Sequence, residues 1–172
     1  MNESGLLKDT LDWLRGIPPE YAVLVISALP VFEVRGGVLA GLLLGLPVER
    51  VLLYGCLGNF ASVTPALLFL EPISKWLYGN RFADRVFHWL FAHARKKADQ
   101  VNNWGMPGLV LLTSIPLPGF GAWTAVIIAL LLNMHRWRAV GATYLGIIIS
   151  GAIVAVATLG GMAGVKSVSG AP

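Results

Sequence analysis

Glu33 and Arg35 are the residues of this 172-residue chain whose types and spacing most clearly suggest chemistry. They interrupt an apolar stretch, because no charged residue occurs at 21–32 or 36–48. A charge at bilayer depth costs roughly 2.5–3.5 kcal/mol on insertion scales, so such residues usually face a protein interior or a wet cavity. The pair could exchange a proton for a substrate, or form a static ion pair that fixes the backbone. Asn59 is a third candidate polar group, although it could equally bond a neighbouring helix.

The composition predicts that these side chains lie in a membrane. The chain is 56% hydrophobic and 13% charged, with a mean hydropathy of +0.70, whereas a typical soluble domain is about 25% charged. Its apolar runs are too long and too numerous for one soluble core. We therefore expect a single all-α integral membrane domain over residues 1–172, multi-pass in the cell membrane. The formal charge of +4 concerns orientation and anionic lipids before nucleic acid, and no nucleic-acid partner is expected.

Two apolar blocks are each broken near their centre. In 21–48, Pro30 and the Gly36–Gly37 pair bracket the charged residues and disfavour a continuous helix. The uncharged flanks, at about 1.5 Å per residue, each reach roughly half-way across a hydrocarbon core of about 30 Å. We expect a re-entrant hairpin there; the alternative is one tilted, kinked helix. The second block, 106–134, has the same kind of break, formed by Pro116, Pro118, Gly119 and Gly121 just before Trp123.

The two halves of the chain, 21–70 and 106–165, follow one plan. In each, the hairpin precedes an uncharged segment long enough to span, at 51–70 and 139–165. If each hairpin returns to its own side, the chain crosses only at these two segments, which makes an inverted repeat. Transporters of this design bring their broken helices together near the midplane, so we expect Glu33 and Arg35 to meet the second tip. An offset of 86 aligns Pro30 with Pro116, Arg50 with Arg136, and Gly55 with Gly141.

Three polar segments flank the repeats. Residues 1–20 predict an amphipathic helix lying on the surface, and 166–172 predict a polar tail. Residues 71–104 predict a basic amphipathic linker whose positive charges face lipid headgroups. By the positive-inside rule, this linker lies in the cytoplasm.

Other chemistry is poorly supported by the sequence. Thr113 and Ser114 have no His or Asp at a suitable spacing, so we expect no enzyme. His88 and His93 are five residues apart without a carboxylate or thiolate at a ligand spacing, so we expect no metal and no cofactor. Cys56 lies in an apolar run, where a small packing role is the simplest interpretation.

Four further motifs stand out: Phe-Glu-Val-Arg-Gly-Gly at 32–37, Gly-Asn at 58–59, Leu-Leu-Phe-Leu-Glu-Pro-Ile at 67–73, and Pro-Leu-Pro-Gly-Phe-Gly-Ala-Trp-Thr at 116–124. Together they resemble the small multi-drug export protein family, which is thought to be distantly related to the DedA/VTT membrane proteins. The resemblance implies two opposed re-entrant loops and an export function. Two positions depart from the family pattern: Leu39 replaces a usual proline, and Phe120 replaces a usual threonine.

Three functions fit these observations. The first is proton-coupled export, or lipid translocation, through paired re-entrant loops at the bilayer midplane, with Glu33 as the titrating group and a small molecule or ion as substrate. The second is a four-span, small-multidrug-resistance-like exporter, acting as a homodimer, in which Glu33 binds cationic drugs. The third is a non-transport scaffold that organises membrane lipids or partners through 71–104. Topology separates the first from the second.

Overall fold

The computed structural model describes residues 18–77, 104–117 and 121–169, with the backbone alone at 70–77 and 165–169. Every regular element in these ranges is a helix, as the composition predicts. Two segments, Val48–Phe69 and Arg136–Gly164, are long and apolar enough to cross a membrane. The six helices in the described ranges are α1 (Pro19–Ala28), α2 (Glu33–Leu43), α3 (Val48–Leu77), α4 (Met106–Ser114), α5 (Ala122–Leu131) and α6 (Arg136–Ser169).

The two long helices extend beyond the spans that the sequence predicts. Helix α3 continues to Leu77, and α6 takes in residues 166–169, which the sequence assigns to a polar tail. The tail prediction was wrong there because no glycine or proline interrupts the chain between Val165 and Gly170. Most of the predicted N-terminal helix (1–20) and of the basic linker (71–104) lies outside the described residues.

The first tip, the non-helical segment Leu29–Phe32 between α1 and α2, is shorter than the sequence predicts. Pro30 lies in it as expected, and Leu29 is extended, the conformation favoured before proline. Gly36 and Gly37 lie inside α2, so the prediction that they help to break the helix was wrong. Their role is close packing, since a Cβ on Gly37 would overlap the Ser27 hydroxyl of α1.

The order of short helix, tip, short helix and long helix occurs twice. The second tip, Ile115–Gly121, separates α4 from α5 and has residues 118–120 outside the described ranges. Helices α2 and α5 end in the same Schellman arrangement, with Gly45 and Asn133 at positive φ (79° and 48°). Their closing hydrogen bonds run from Leu46 to Gly41 and from Met134 to Ala129.

The repeated hydrogen bonds correct the alignment of the two halves. Pro30 and Pro116 keep the predicted offset of 86, because Leu29 and Ile115 are the corresponding extended helix ends. After the tips the offset becomes 88, since Gly45 corresponds to Asn133. Arg50 therefore corresponds to Arg138 rather than Arg136, and Gly55 to Thr143 rather than Gly141. The longer second tip accounts for the change.

The two long helices run antiparallel. A Cβ on Gly151 of α6 would lie 3.3 Å from the Leu52 side chain, near the start of α3. Further along α3, the Phe60 ring stacks on Tyr144, with centroids 3.8 Å apart, and the Thr64 hydroxyl hydrogen-bonds to the Tyr144 hydroxyl. Residue numbers thus rise along α3 as they fall along α6, so the two helices start at opposite ends of the molecule.

Glycines allow the short helices to pack tightly on the long ones in both halves. A Cβ on Gly58 of α3 would overlap the Leu24 carbonyl of α1, and a Cβ on Gly146 of α6 would lie 3.0 Å from the Val110 carbonyl of α4. Such close backbone approach is the usual role of small residues in membrane helices. The core between the helices is aliphatic, whereas large apolar side chains such as Leu53, Leu145 and Val156 are exposed on the outside.

Candidate functional site

Glu33 lies at the start of α2 with its carboxylate turned into the protein. Its side chain is 7% exposed and accepts an ion-paired hydrogen bond of 2.7 Å from Nη2 of Arg35, whose side chain is 19% exposed. Two residues so close in sequence would not share a face of a regular helix. They meet because the chain enters α2 from the tip with Glu33 in the left-handed region, at a φ of 52°. That conformation costs a non-glycine residue about 1–3 kcal/mol and is concentrated at functional sites.

The ion pair is bonded to the second tip by Arg35 and to the first turn of α5 by Glu33. Nη1 of Arg35 donates to the Leu117 carbonyl oxygen at 2.6 Å. The other carboxylate oxygen of Glu33 accepts the backbone N–H of Trp123 at 3.1 Å. Arg35 thus contacts the backbone of the second tip, whereas Glu33 contacts the backbone of the helix that follows it.

Glu33 serves as the N-terminal cap of α5. The N-cap residue of that helix is Gly121, which has no side chain to cap with, so the first N–H groups need an acceptor from elsewhere. A carboxylate is well suited to that position, because the helix dipole favours negative charge at its N-terminus. A residue in the first half of the chain therefore completes a helix in the second half.

Gly121 is the residue that permits this approach. Its φ of 148° lies in a region that L side chains rarely adopt. A Cβ there would overlap the Arg35 guanidinium and a Glu33 carboxylate oxygen, and would lie 2.9 Å from Cδ of Glu33. The sequence identifies Gly121 as a helix-breaking tip residue. Its contact with the ion pair becomes visible only when both tips are seen together.

The other predicted site residues are distributed unevenly. Pro30 is exposed on the first tip, Pro116 is half-buried on the second, and Trp123 is half-buried at the start of α5. The Trp123 indole N–H is buried without a hydrogen-bond partner among the described residues. Pro118 and Gly119, like the departing residue Phe120, lie outside the described residues.

Asn59 is not hydrogen-bonded to the ion pair. It is fully buried on α3, and neither Nδ2 nor Oδ1 of its side-chain amide has a partner in the described part of the chain. Three other buried side-chain hydroxyls also lack a hydrogen-bond partner among the described residues. The sequence does not single them out, because serine and threonine in a helix carry no distinctive sequence signal. They are Ser27 on α1 and Thr143 and Ser150 on α6.

Thr113 and Ser114 are engaged structurally. Both hydroxyls donate to carbonyl oxygens one turn earlier in α4, at 2.8 Å to Leu109 and 2.7 Å to Val110. Within the described ranges, no group of three or more His, Cys, Asp or Glu side chains is placed to hold a metal ion.

The chain has two apolar helices of spanning length, its outer surfaces expose apolar side chains, and its ion pair lies between helical tips. These features are those of a helical membrane protein. The sequence model of the family described as "Putative small multi-drug export protein" matches residues 33–153, a range that begins at Glu33 and includes the second tip. The chain belongs to this family. No curated protein and no solved structure matches it.

Proposed function

We propose that this protein exports small molecules in exchange for protons, and that the Glu33–Arg35 ion pair is the group for which proton and substrate compete. The observation that carries the proposal is that this partly buried pair, at the start of α2, is bonded to both the second tip and the first turn of α5. Arg35 bonds the Leu117 carbonyl, and Glu33 bonds the Trp123 N–H. A change in the charge of one side chain therefore acts on both halves of the protein.

Protonation of Glu33 would release the tips. A neutral carboxyl loses its ionic attraction to Arg35 and is a weaker acceptor for the Trp123 N–H. The guanidinium then retains its charge without a counter-charge from Glu33. When the proton leaves, the restored carboxylate binds a substrate before it pairs with Arg35 again, so proton and substrate occupy the site alternately.

The proposed placement in the membrane is an inverted repeat of two re-entrant hairpins. Helices α1, α2, α4 and α5 have 9 to 11 residues, so each reaches about half-way across a core of about 30 Å. The antiparallel course of α3 and α6 supports opposite entry of the two hairpins. Both tips would then lie near the midplane, where inverted-repeat transporters bind substrates and coupling ions.

Buried polar groups on α1, α3 and α6 support a path for water or substrate between the helices. Ser27, Asn59, Thr143 and Ser150 are each at most 2% exposed, and their side chains lack partners among the described residues. Buried polar atoms are nearly always hydrogen-bonded, to protein or to ordered water. Bound water or substrate would supply the missing partners.

The experiment that tests the proposal is a flux measurement in proteoliposomes. Vesicles that contain a pH-sensitive dye are given an imposed proton gradient and a lipophilic cation, tetraphenylphosphonium, as probe. We expect proton movement coupled to the cation in the wild type and its loss in Glu33→Gln. The matched control is Glu49→Gln, since Glu49 is exposed at the start of α3. If Glu33→Gln retains full coupled flux, the ion pair is static and the proposal fails.

Lipid translocation is a second candidate for the same site, favoured by the exposure of the tips. Leu29, Val31, Phe32 and Leu117 are 44–86% exposed beside the ion pair, a surface that an acyl chain could follow. Reduction of fluorescent lipids by external dithionite tests it. Lipid translocation is supported if the protein causes a loss of inner-leaflet fluorescence that Glu33→Gln abolishes. If the inner-leaflet fluorescence is unchanged, the site does not translocate lipid and export is the remaining candidate.

A further inference from the structure

The long helix α3 is weakened near its centre by Pro65. Proline has no main-chain N–H, so the carbonyl oxygen of Ala61, four residues earlier, loses its helical donor. Immediately before the proline, the Thr64 hydroxyl donates to the carbonyl oxygen of Phe60, one turn back, at 2.6 Å. Hydroxyls bonded in this way often bend a helix, and proline is among the usual causes of a sharp kink. The turn before Pro65 is therefore where α3 bends most easily.

Tyr144 of α6 contacts both ends of this turn. Its ring stacks on Phe60, with the ring centroids 3.8 Å apart and the planes inclined at 13°. Its hydroxyl forms a hydrogen bond with the Thr64 hydroxyl. Because Thr64 donates its only hydroxyl proton to the Phe60 carbonyl oxygen, Tyr144 is the donor in that bond. One side chain of α6 thus holds the weakened turn of α3 at its beginning and at its end.

The other long helix has neither feature. With the offset of 88, Pro65 corresponds to Ile153, and the sequence of α6 contains no proline. Tyr144 corresponds to Cys56 of α3, which offers neither an aromatic ring nor a hydroxyl. The weakened turn and the tyrosine that holds it are therefore properties of the first long helix rather than consequences of the repeated fold.

A cavity lies beside the part of α3 that follows the weakened turn. Its volume is about 310 Å³, and its lining includes Ala66 and Leu67, the two residues after Pro65, together with Val126 and Leu130 of α5. In a close-packed interior a moving helix meets its neighbours at once, whereas a cavity leaves space next to it. The second half of α3 therefore has room to move on the side that faces α5.

We propose that α3 is a hinged helix, with its hinge in the turn before Pro65 and the Tyr144 hydroxyl as the latch that keeps it closed. When the bond from Tyr144 to Thr64 breaks, segment 66–77 moves towards the cavity. The first half of α3 stays in place, because Gly58 keeps its close contact with Leu24 of α1. The hinge is separate from the Glu33–Arg35 pair and does not depend on the proposed proton exchange.

Double electron–electron resonance on the purified full chain in lipid nanodiscs tests the hinge without a transport measurement. In a Cys56→Ala background, spin labels are placed at position 77, the end of α3, and at position 162 on α6. The part of α3 beyond Pro65 is about 18 Å long, so a change of about 20° in its bend moves the end by about 6 Å. We expect a narrow distance distribution with Tyr144 and Thr64 intact. Tyr144→Phe and Thr64→Val, which each remove the hydroxyl bond, should shift or broaden it by about that amount.

Two comparisons locate the movement. A reference pair of labels at positions 57 and 162, with position 57 before the hinge, should keep its distribution in every variant. Adding Pro65→Ala, which restores the helical N–H, should return Tyr144→Phe to the narrow distribution, whereas Pro72→Ala, the matched control later in α3, should not. If one of the two hydroxyl variants does not fold, the other decides.

Three results would overturn the inference. The first is a wild-type distribution in the hydroxyl variants, which would show that the bond holds nothing in place. The second is equal broadening of the reference pair, which would show a general loosening of the fold. The third is restoration by Pro72→Ala as complete as that by Pro65→Ala, which would place the bend elsewhere.

Discussion

The two oxygens of the Glu33 carboxylate serve different halves of the chain. One pairs with Arg35 and the other caps α5 through the Trp123 N–H. The sequence predicts the importance of both charged residues, because two charges in a long apolar run are costly unless they are used. It does not predict the Trp123 N–H or the Leu117 carbonyl, since every residue has a main-chain carbonyl, all but proline have an N–H, and only the fold selects among them.

Replacement of Gly121 tests the fit between the tips. We expect Gly121→Ala to destabilise the protein by about 1–3 kcal/mol from its backbone conformation alone, with an added cost because the new Cβ would overlap the ion pair. Gly141→Ala is the control: no described residue places an atom within 4 Å of its Cβ position, and alanine favours a helix by up to about 1 kcal/mol. The thermal unfolding midpoint in detergent measures the stability of both variants. Equal midpoints would contradict the contact.

A double-mutant cycle measures the coupling within the ion pair. Removal of one member leaves the other charge buried, which costs about 3–5 kcal/mol in enclosed pairs. We expect less here, because the Arg35 side chain is partly exposed and the amide of Glu33→Gln can still accept from Trp123. Glu33→Gln combined with Arg35→Gln is expected to cost less than the two single changes added together, by about 0.5–3 kcal/mol in the free energy of unfolding. Simple additivity would show that the charges act independently.

At the scale of helices, glycine positions decide how closely the elements pack. The sequence shows the spacing of the glycines but not which neighbour each one meets. Gly36 and Gly37 illustrate the difference, because a glycine pair can break a helix or allow a close contact, and only the position of α1 shows that the second applies. The tips, in contrast, are predictable from proline, which restricts the backbone wherever it occurs.

The contacts between short and long helices give a prediction at this scale. Gly58→Ala would force α3 away from the Leu24 carbonyl, and we expect a loss of about 1–3 kcal/mol in stability, the usual cost of overpacking. Gly160→Ala serves as the control, because no atom of the residues that the structure describes lies within 4 Å of its Cβ position. Chemical or thermal unfolding in detergent distinguishes the two. A Gly58→Ala variant as stable as Gly160→Ala would contradict the close approach of α1 and α3.

At the scale of the whole molecule, the sequence predicts the repeated order of elements but misaligns the long helices by two residues. The reason is that the two tips differ in length, and three matching residue pairs in a glycine- and proline-rich chain cannot reveal an insertion.

The antiparallel course of α3 and α6 bears on the choice between two re-entrant hairpins and four plain spans. In the hairpin arrangement Arg50 and Arg136 lie on opposite sides of the membrane, whereas four spans place them on the same side.

Cysteine accessibility tests this arrangement. Variants with a single cysteine at position 50 or 136 are made in a Cys56→Ala background. Intact cells that express them are treated with a membrane-impermeant maleimide. We expect only one of the two to be labelled from outside, and both after permeabilisation. A cysteine at position 138 should behave like the one at 136. Labelling of positions 50 and 136 from the same side would support four spans instead.

The most direct test of the account is the separation of the two tips. Spin labels at Val31 and Leu117, both exposed, report this distance by double electron–electron resonance in lipid nanodiscs. We predict a narrow distribution in the wild type at neutral pH that becomes longer and broader on acidification. Glu33→Gln should show the longer, broader distribution at every pH. If the wild type and Glu33→Gln give the same narrow distribution at all pH values, the ion pair does not control the tips, and the proposed mechanism is wrong.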